Sequence, residues 1–402
     1  VIPYVLIKIS FVKMFYIWHM LFKDILGQEH IKNHLTKSAE AGRIPHAQLF
    51  AGPEGCGMLP MAIAYAQYIL CGNTGGENRG ENALCNSKFE NFSHPDLHYV
   101  FPVAATELIK SQPISDNFMT EWRQFITENP YGNLFDWLKS IGIQNKQGNI
   151  NVLEASEINR KLSLKAFEGG YKVMIIWMAD KMNRESANRL LKLLEEPPAK
   201  TVFILITENV NDILQTIFSR CQLIDFMGLS ETVIAEALVS RENCDSGVAK
   251  KIAHQSEGNY NKALHILRKD DIEFPFDEWF VEWVRSAFRA KGNAAVIIDL
   301  IAWSEKISKT GRETQKQFLH YCIHFFRQAL LLNYQADELV FLETNVPKFE
   351  LKKFAPFVNG SNIVAIYQEL EDAIYHIERN GNSKIILTDL SIKLTRLIHK
   401  KE

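Results

Sequence analysis

The 402-residue sequence has almost no net charge, because 45 Lys and Arg residues stand against 47 Asp and Glu residues. This balance argues against a protein that holds nucleic acid by bulk positive charge alone, while a local basic face or a place in a larger assembly stays open. Cysteine is also scarce, with six residues, no Cys-x-x-Cys pair and therefore no disulfide framework. We expect a reducing, cytoplasmic location.

The sequence also lacks the composition of a disordered or collagen-like chain, and it contains no long repeat or low-complexity tract. Hydrophobic residues make up 47% of it and charged residues 23%, which is typical of a globular protein. The length suggests two or three domains with buried cores.

Residues 1–19 are apolar and aromatic, but they make a poor membrane span because Lys8 and Lys13 interrupt them. They also lack the charge order and the small cleavage-site residues of a signal peptide. We interpret this segment as a read-through upstream of Met20. An additional N-terminal strand or anchor is the alternative.

A parallel α/β domain is predicted for residues 20–228, because apolar runs typical of buried strands alternate there with helical patterns. The predicted strands are 47–51, 97–103, 173–178, 202–207 and 222–226, and the predicted helices are 28–41, 59–70, 150–167 and 187–195. A loop is expected at 72–82 and an insertion with two helices of its own at 107–147. After Gly228 the strand pattern ends. Three short helices and then longer helices with bulky apolar faces are predicted.

A glycine-rich loop follows the first predicted strand. Gly52 and Gly57 have the spacing of the phosphate-binding loop G-x-x-x-x-G-K-[ST], in which backbone N–H groups cradle phosphates. Met58 and Leu59 stand where that pattern has its Lys and its Ser or Thr. With Gly55, the glycines can preserve the backbone cradle, whereas the positive charge and the Mg²⁺ ligand are lost.

The third predicted strand lacks the acidic residues of an ATPase, just as the glycine-rich loop lacks its Lys and its Ser or Thr. An ATPase needs an Asp at this strand end to hold Mg²⁺ and a second acid beside it. Trp177 and Met178 occupy those positions, and Asp180 lies two residues further along the chain. The two losses together indicate a domain that keeps the fold and has lost hydrolysis.

Several short motifs then carry a family resemblance. The segment ANRLLKLLEEPP at 187–198 closely resembles the helix after the Walker B strand of bacterial clamp-loader subunits, and Ser219-Arg220-Cys221 resembles their Ser-Arg-Cys motif. Gly27-Gln28, His46-Ala47 and, less specifically, Asn382-Ser383-Lys384 also fit. A degenerate P-loop beside an intact Ser-Arg-Cys is similar to the delta-prime family of the DNA polymerase III clamp loader. The resemblance runs from about residue 21 to about residue 258 and more loosely beyond.

The resemblance implies an AAA+ α/β domain at 20–228, a three-helix lid at 229–275 and an all-α collar at 276–402 that packs into a pentameric ring. It implies a hetero-oligomer with gamma/tau and delta subunits, which opens the sliding clamp and places it on primed DNA, with no membrane partner. The chain would have no ATPase activity of its own. Polymerase chemistry would belong to another chain of the complex.

The same resemblance assigns the site residues. Arg220 would be an arginine finger that acts in trans on a neighbouring ATPase subunit, with Ser219 and Cys221 positioning its loop; a pure scaffold without a finger is the alternative. Thr207 would be the first sensor, or else a hydroxyl that caps a turn. Asn261 stands where the family has its second-sensor Arg.

No cofactor is required by this interpretation. The glycine loop, formed by Gly52, Gly55 and Gly57 with Thr207 nearby, either binds no nucleotide or holds ATP or ADP without hydrolysing it; the neighbour's interface is a further place for nucleotide. Family members commonly carry a four-Cys zinc cluster after the P-loop helix. Only Cys71 and Cys85 lie in that region, with His94 as a third donor, so we predict that zinc is lost.

Overall fold

The computed structural model describes residues 20–72, 83–143, 146–168, 170–268, 275–293, 295–340, 342 and 346–400. The predicted leader at 1–19 and most of the predicted loop at 72–82 lie outside these residues. The strands are β1 (Ala47–Ala51), β2 (Leu97–Val100), β3 (Lys172–Ile176), β4 (Thr201–Thr207) and β5 (Gln222–Asp225).

The helices of the α/β part are α1 (Glu29–Glu40), α2 (Met58–Cys71), α3 (Ala83–Glu90), α4 (Met119–Glu128), α5 (Leu134–Ser140), α6 (Val152–Ser163), α7 (Arg184–Glu195) and α8 (Gln215–Phe218). Those that follow are α9 (Glu231–Glu242), α10 (Ser246–Gln255), α11 (Tyr260–Arg268), α12 (Phe276–Arg289), α13 (Val296–Ser308), α14 (Arg312–Asn333), α15 (Leu351–Phe354), α16 (Ile363–Glu378) and α17 (Ser383–Leu397). No helix in these described ranges is long and apolar enough to cross a membrane.

The five strands form one parallel sheet in the order β2-β3-β4-β1-β5. The central pair is β1 with β4, in which Ala47 pairs with Phe203 and Ala51 with Thr207. Both strands are buried along their whole length, as expected for a parallel sheet covered on both faces. The alternation of strands and helices predicted from the sequence is therefore confirmed.

Two predicted elements end three or more residues earlier than expected. Strand β2 ends at Val100 because Val103 turns away to form an isolated antiparallel bridge with Asn149. The helix predicted for 150–167 spans only Val152–Ser163, because Asn151 caps its first turn and Leu164 is extended. Both corrections arise from local backbone partners that apolar periodicity does not show.

The insertion predicted at 107–147 packs against one face of the sheet. Trp122 and Trp137, from α4 and α5, are fully buried, and Phe101 stacks on Trp122 with ring centroids 4.2 Å apart. Trp177, just after β3, joins the same cluster at 5.2 Å from Trp122. The insertion is thus part of the core of the α/β part.

The helices that follow the sheet have cores of their own. Helices α9–α11 enclose a small core that also includes Leu26 and Tyr131 from the α/β part. Helices α12–α17 enclose a larger aromatic core, in which Trp283 and Trp303 stack at 5.1 Å. An α/β sheet followed by a three-helix unit and an all-α unit is the predicted fold class. The domain limits at 228 and 275 stay predictions.

Candidate functional site

The glycine-rich loop lies between β1 and α2 and depends on its glycines. Gly55 and Gly57 have φ values of +69° and +98°, in the left-handed region that favours glycine. A Cβ on Gly52 would lie 2.6 Å from Cβ of Phe226 and 2.7 Å from its carbonyl oxygen. The sequence spacing therefore predicted a real tight loop at the carboxyl end of β1.

Side chains of the protein itself press against this loop. A Cβ on Gly55 would lie only 1.9 Å from Oδ1 of Asn259, in the turn before α11, and one on Gly57 would lie 3.0 Å from the ring of Tyr131. The Tyr260 N–H donates to the carbonyl of Gly55 at 3.2 Å. The lid and the insertion thus both close onto the loop.

Glu54, inside the loop, ties these two segments together. Its Oε1 accepts hydrogen bonds from Nδ2 of Asn133 and from Nδ2 of Asn259, each at 3.0 Å. A carboxylate at this position adds negative charge where an ATP phosphate would need donors and cations. Neither amide was predicted from the sequence, because each lies far from Glu54 along the chain.

A second polar network joins α5 to α11 behind the loop. Asn261, buried at 1% exposure, donates from Nδ2 to Oδ2 of Asp136 at 2.7 Å, and its Oδ1 accepts from Nδ2 of Asn129 at 3.2 Å. Nε2 of His265 lies 3.1 Å from Oδ1 of Asp136. Burial alone raises the pKa of Asp136, but the hydrogen bonds from His265 and Asn261 outweigh it, and the pKa lies below its ordinary value. Asn261, which the resemblance places at the second-sensor position, is therefore hydrogen-bonded within the chain.

Thr207 ends β4 and is fully buried. Its hydroxyl lies 2.9 Å from Oδ1 of Asp180 and 3.0 Å from the carbonyl of Asn209, and it accepts from the Asn209 N–H at 3.1 Å. Asp180 lies in a 3₁₀ turn, Ala179–Lys181, directly after β3. The hydroxyl thus hydrogen-bonds to the turn that follows β4. Its role as a sensor stays a prediction.

Apolar side chains that belong to the protein core stand at the positions where the sequence patterns of an ATPase have their charged and hydroxyl residues. Met58 and Leu59 are 7% and 4% exposed. Trp177 is 3% exposed and lies within the aromatic cluster of the insertion. Met178 has a left-handed φ of +54° that ends the strand. These side chains supply packing and no charge.

Arg220 lies on the loop between α8 and β5, at one edge of the sheet. Its Nη2 is 2.5 Å from Oε1 of Glu195, and its Nη1 donates to the carbonyl of Thr216 at 2.7 Å. The side chain is about one third exposed. Ser219 donates from Oγ to the same Thr216 carbonyl at 3.2 Å, and burial raises the pKa of the Cys221 thiol to about 11. Cys221 is therefore protonated at neutral pH and fits a packing role.

The region in which the resemblance implies a zinc cluster contains one disulfide, between Cys71 and Cys85. This differs from the expectation of a chain without disulfides; four other cysteines are free. The pair joins the end of α2 to α3, since the two chain segments meet there.

The donors around this disulfide do not fit a tetrahedral zinc ion. Among the described residues, Cys85, His94 and Glu168 have potential ligand atoms within 4.8 Å of one another. Nδ1 of His94 accepts from the Asp96 N–H at 3.2 Å, so Nε2 carries the proton and faces Glu168. Glu168 is paired with Lys88, and both thiols are in the disulfide. Zinc would need free lone pairs at these atoms.

Together, the parallel order β5-β1-β4-β3-β2, the glycine loop after β1 and the helical lid against that loop define an AAA+ protein. The chain belongs to the DNA polymerase III delta subunit family, whose model matches residues 27–230, just over half of it.

Two curated relatives come from Bacillus subtilis. The chain is 29% identical over 245 residues to DNA polymerase III subunit delta′, covering 61% of this chain and 60% of that protein. It is 28% identical over 255 residues to subunit tau, covering 61% of this chain and 37% of tau. The match thus spans less than two thirds of either relative. A solved gamma subunit-related protein from Thermotoga maritima aligns over 92% of this chain and 99% of its own, with 13% identity and a TM-score of 0.34.

Proposed function

We propose that this chain is a delta-prime-like clamp-loader subunit that does not hydrolyse ATP and supplies Arg220 in trans to a neighbouring ATPase subunit. The observation that carries the proposal is a contrast within one domain. The glycine loop is closed by Tyr131 and Asn259, whereas Arg220 stays partly exposed at the sheet edge. A finger must persist even where its own subunit has lost hydrolysis.

Loss of hydrolysis is supported by what has replaced the catalytic groups. Phosphoryl transfer relies on a P-loop cation, on Mg²⁺ and on acids that hold the metal and orient the attacking water. Met58 and Leu59 belong to the core, Trp177 belongs to an aromatic cluster, and Asn261 bonds to Asp136. Structural ATP or ADP, the alternative, would require Asn259 to leave the loop. We also propose that no zinc is needed.

The finger role is supported by the donors that Arg220 keeps. A guanidinium has five N–H donors, and Arg220 uses them within the described chain only toward Thr216, Ser219 and Glu195. Other donors remain for a phosphate on a partner. In other systems an arginine finger raises the hydrolysis rate by about 10³–10⁵.

Ring assembly is supported by apolar side chains on the collar surface. Ile298 and Ile385 are 69% and 66% exposed on α13 and α17, and Ile301 and Ile392 are also exposed there. These two helices pack against each other, so the side chains lie on adjoining helices. An apolar surface shared by adjoining helices is typical of partner interfaces. We propose gamma/tau and delta as ring partners in the cytoplasm, with the sliding clamp and primed DNA reached through the complex.

The test is an ATPase assay on the reconstituted complex with Arg220→Ala in this subunit. We expect the DNA-stimulated rate and clamp loading to fall by about 10³-fold or to background. Arg160→Ala is the matched control, since Arg160 is an exposed Arg whose ion pair within the described residues is with its helix neighbour Glu157. Unchanged rates would eliminate the finger and leave a scaffold. Binding of a fluorescent ATP analogue to the isolated chain would support the structural-nucleotide alternative.

A further inference from the structure

A cleft on the collar surface, outside the α/β part, combines an apolar floor with a basic rim. It has a volume of about 550 Å³ and lies between α12, the segment before α15, α15 itself and the end of α17. This volume lies in the range of sites that hold small ligands or a few side chains of a peptide. Its polar groups are unrelated to the glycine loop and to Arg220.

The floor of this cleft exposes two phenyl rings. Phe288 and Phe357 are 42% and 37% exposed and meet edge to face with centroids 4.9 Å apart. Phe354 and Ile398, which are 7% and 2% exposed, also line the cleft. The ring of Phe288 also stacks on His399, with ring centroids 4.8 Å apart. An apolar surface that faces water is typical of a binding site.

The rim of the cleft carries four cationic side chains and one carboxylate: Arg285, Arg289, Lys348, Lys353 and Glu350. Glu350 is paired with Lys353 at 2.6 Å. Arg285 donates to the carbonyls of Pro347 and Lys348, at 3.3 and 2.7 Å, so a carboxylate does not neutralise it there.

The other two rim cations are also weakly compensated. Arg289 is 62% exposed, and its ion pair within the part of the chain that the structure describes is with Asp299 at 3.9 Å. Lys348 is exposed, has no ion pair among the described residues, and is presented by a backbone with φ of +60°. The rim is therefore clearly positive in a chain whose net charge is −2.

We propose that this cleft binds an acidic peptide segment of a partner protein, with a bulky apolar side chain on Phe288 and Phe357 and its carboxylates on Arg285, Arg289 and Lys348. Charge complementarity selects an anionic ligand. A nucleobase binds by stacking on an open aromatic ring, but His399 already covers one side of Phe288. The concave floor therefore favours an inserted peptide side chain rather than a stacked nucleobase.

The test measures binding to the full-length chain by fluorescence anisotropy, with a short fluorescein-labelled peptide in which Phe and Leu lie among Asp and Glu residues. We expect saturable binding that weakens with added salt. Arg289→Glu and Lys348→Glu should each weaken it about tenfold or more. Arg396→Glu, the same charge change on an exposed residue of α17, should not. Phe357→Ala should weaken binding without a change in salt dependence, and the thermal melting temperature of each variant verifies folding.

Three results would overturn the proposal. The first is absence of peptide binding at low salt. The second is equal binding of a peptide whose Phe and Leu are replaced by Ala, because the apolar floor would then not be used. The third is binding of oligo(dT) but not of the peptide, with the same sensitivity to Arg289→Glu and Lys348→Glu, which would assign the cleft to single-stranded nucleic acid.

Discussion

Asp136 tests whether the lid is held against the glycine loop by the protein's own polar groups. Its side chain is only 13% exposed and lies 2.7 Å from Nδ2 of Asn261 and 3.1 Å from the Asn133 N–H. The substitution Asp136→Asn keeps the shape and removes the charge. In either amide orientation it reduces the number of acceptors that face Asn261 and His265.

The magnitude follows from these bonds. A hydrogen bond to a charged group contributes about 1.5–3 kcal/mol, and a buried donor left without an acceptor costs about 1–3 kcal/mol. The His265 pair is counted low because that imidazole is 41% exposed. We expect Asp136→Asn to destabilise the folded state by about 2–4 kcal/mol. Urea unfolding followed by tryptophan fluorescence measures it as a lower midpoint.

The control and the pH dependence sharpen this prediction. Asp389→Asn alters an exposed carboxylate whose ion pair, among the described residues, is with Lys393 of the same helix, and it should change the midpoint little. Because the pKa of folded Asp136 lies below its ordinary value of 3.8, its stabilisation is present above that pH and is lost as the pH falls through the lower folded value. The difference between wild type and Asp136→Asn should shrink in that range. Equal midpoints for the two Asp→Asn variants at neutral pH would refute the network's role.

Three further predictions follow from single contacts. Glu195→Ala should lower the ATPase rate of the complex about fivefold, because Glu195 forms an ion pair with Arg220 and so positions it. The control Glu196→Ala should leave the rate unchanged. Equal rates for the two variants would contradict this role of Glu195. Gly57→Ala should lower the melting temperature more than Gly142→Ala, since both have positive φ but only Gly57 has a ring 3.0 Å away. Unreduced, denatured protein should titrate with four thiols of six; six thiols with one equivalent of zinc would reverse the assignment.

The fold could be predicted from the sequence largely because its strands are buried on both faces. A short, continuous apolar run such as 202–207 is typical of a buried strand, and β4 indeed spans Thr201–Thr207. The differences between prediction and structure lie at the ends of strands and helices. Strand β2 is shorter than its apolar run because the bridge between Val103 and Asn149 redirects the chain. Such partners are distant in sequence and leave no periodic signal.

Only those parts of the candidate site that are formed by residues close together in the sequence could be predicted. Glycine spacing identified the loop, and the motif around Arg220 identified a candidate finger. The side chains that close the loop could not be found in this way, since Asn133 and Asn259 reach Glu54 from 79 and 205 residues away. The disulfide was missed for a different reason: six scattered cysteines without a Cys-x-x-Cys pair favoured a chain without disulfides. The available signal was Asn261 at a position where the resemblance implies an arginine.

The replacement of charge by amides has a mechanical consequence under the proposed function. A nucleotide on the glycine loop would lie between that loop and the lid segment that approaches it at Asn259, so a bound ligand would set the separation of the two. Here Glu54 accepts from Asn133 and Asn259, and Asp136 accepts from Asn261, so the bridge is made by the chain itself. The lid can therefore stay closed without a ligand. The geometry in which Arg220 is offered would then be constant, and the nucleotide state of the neighbour alone would decide when the finger acts.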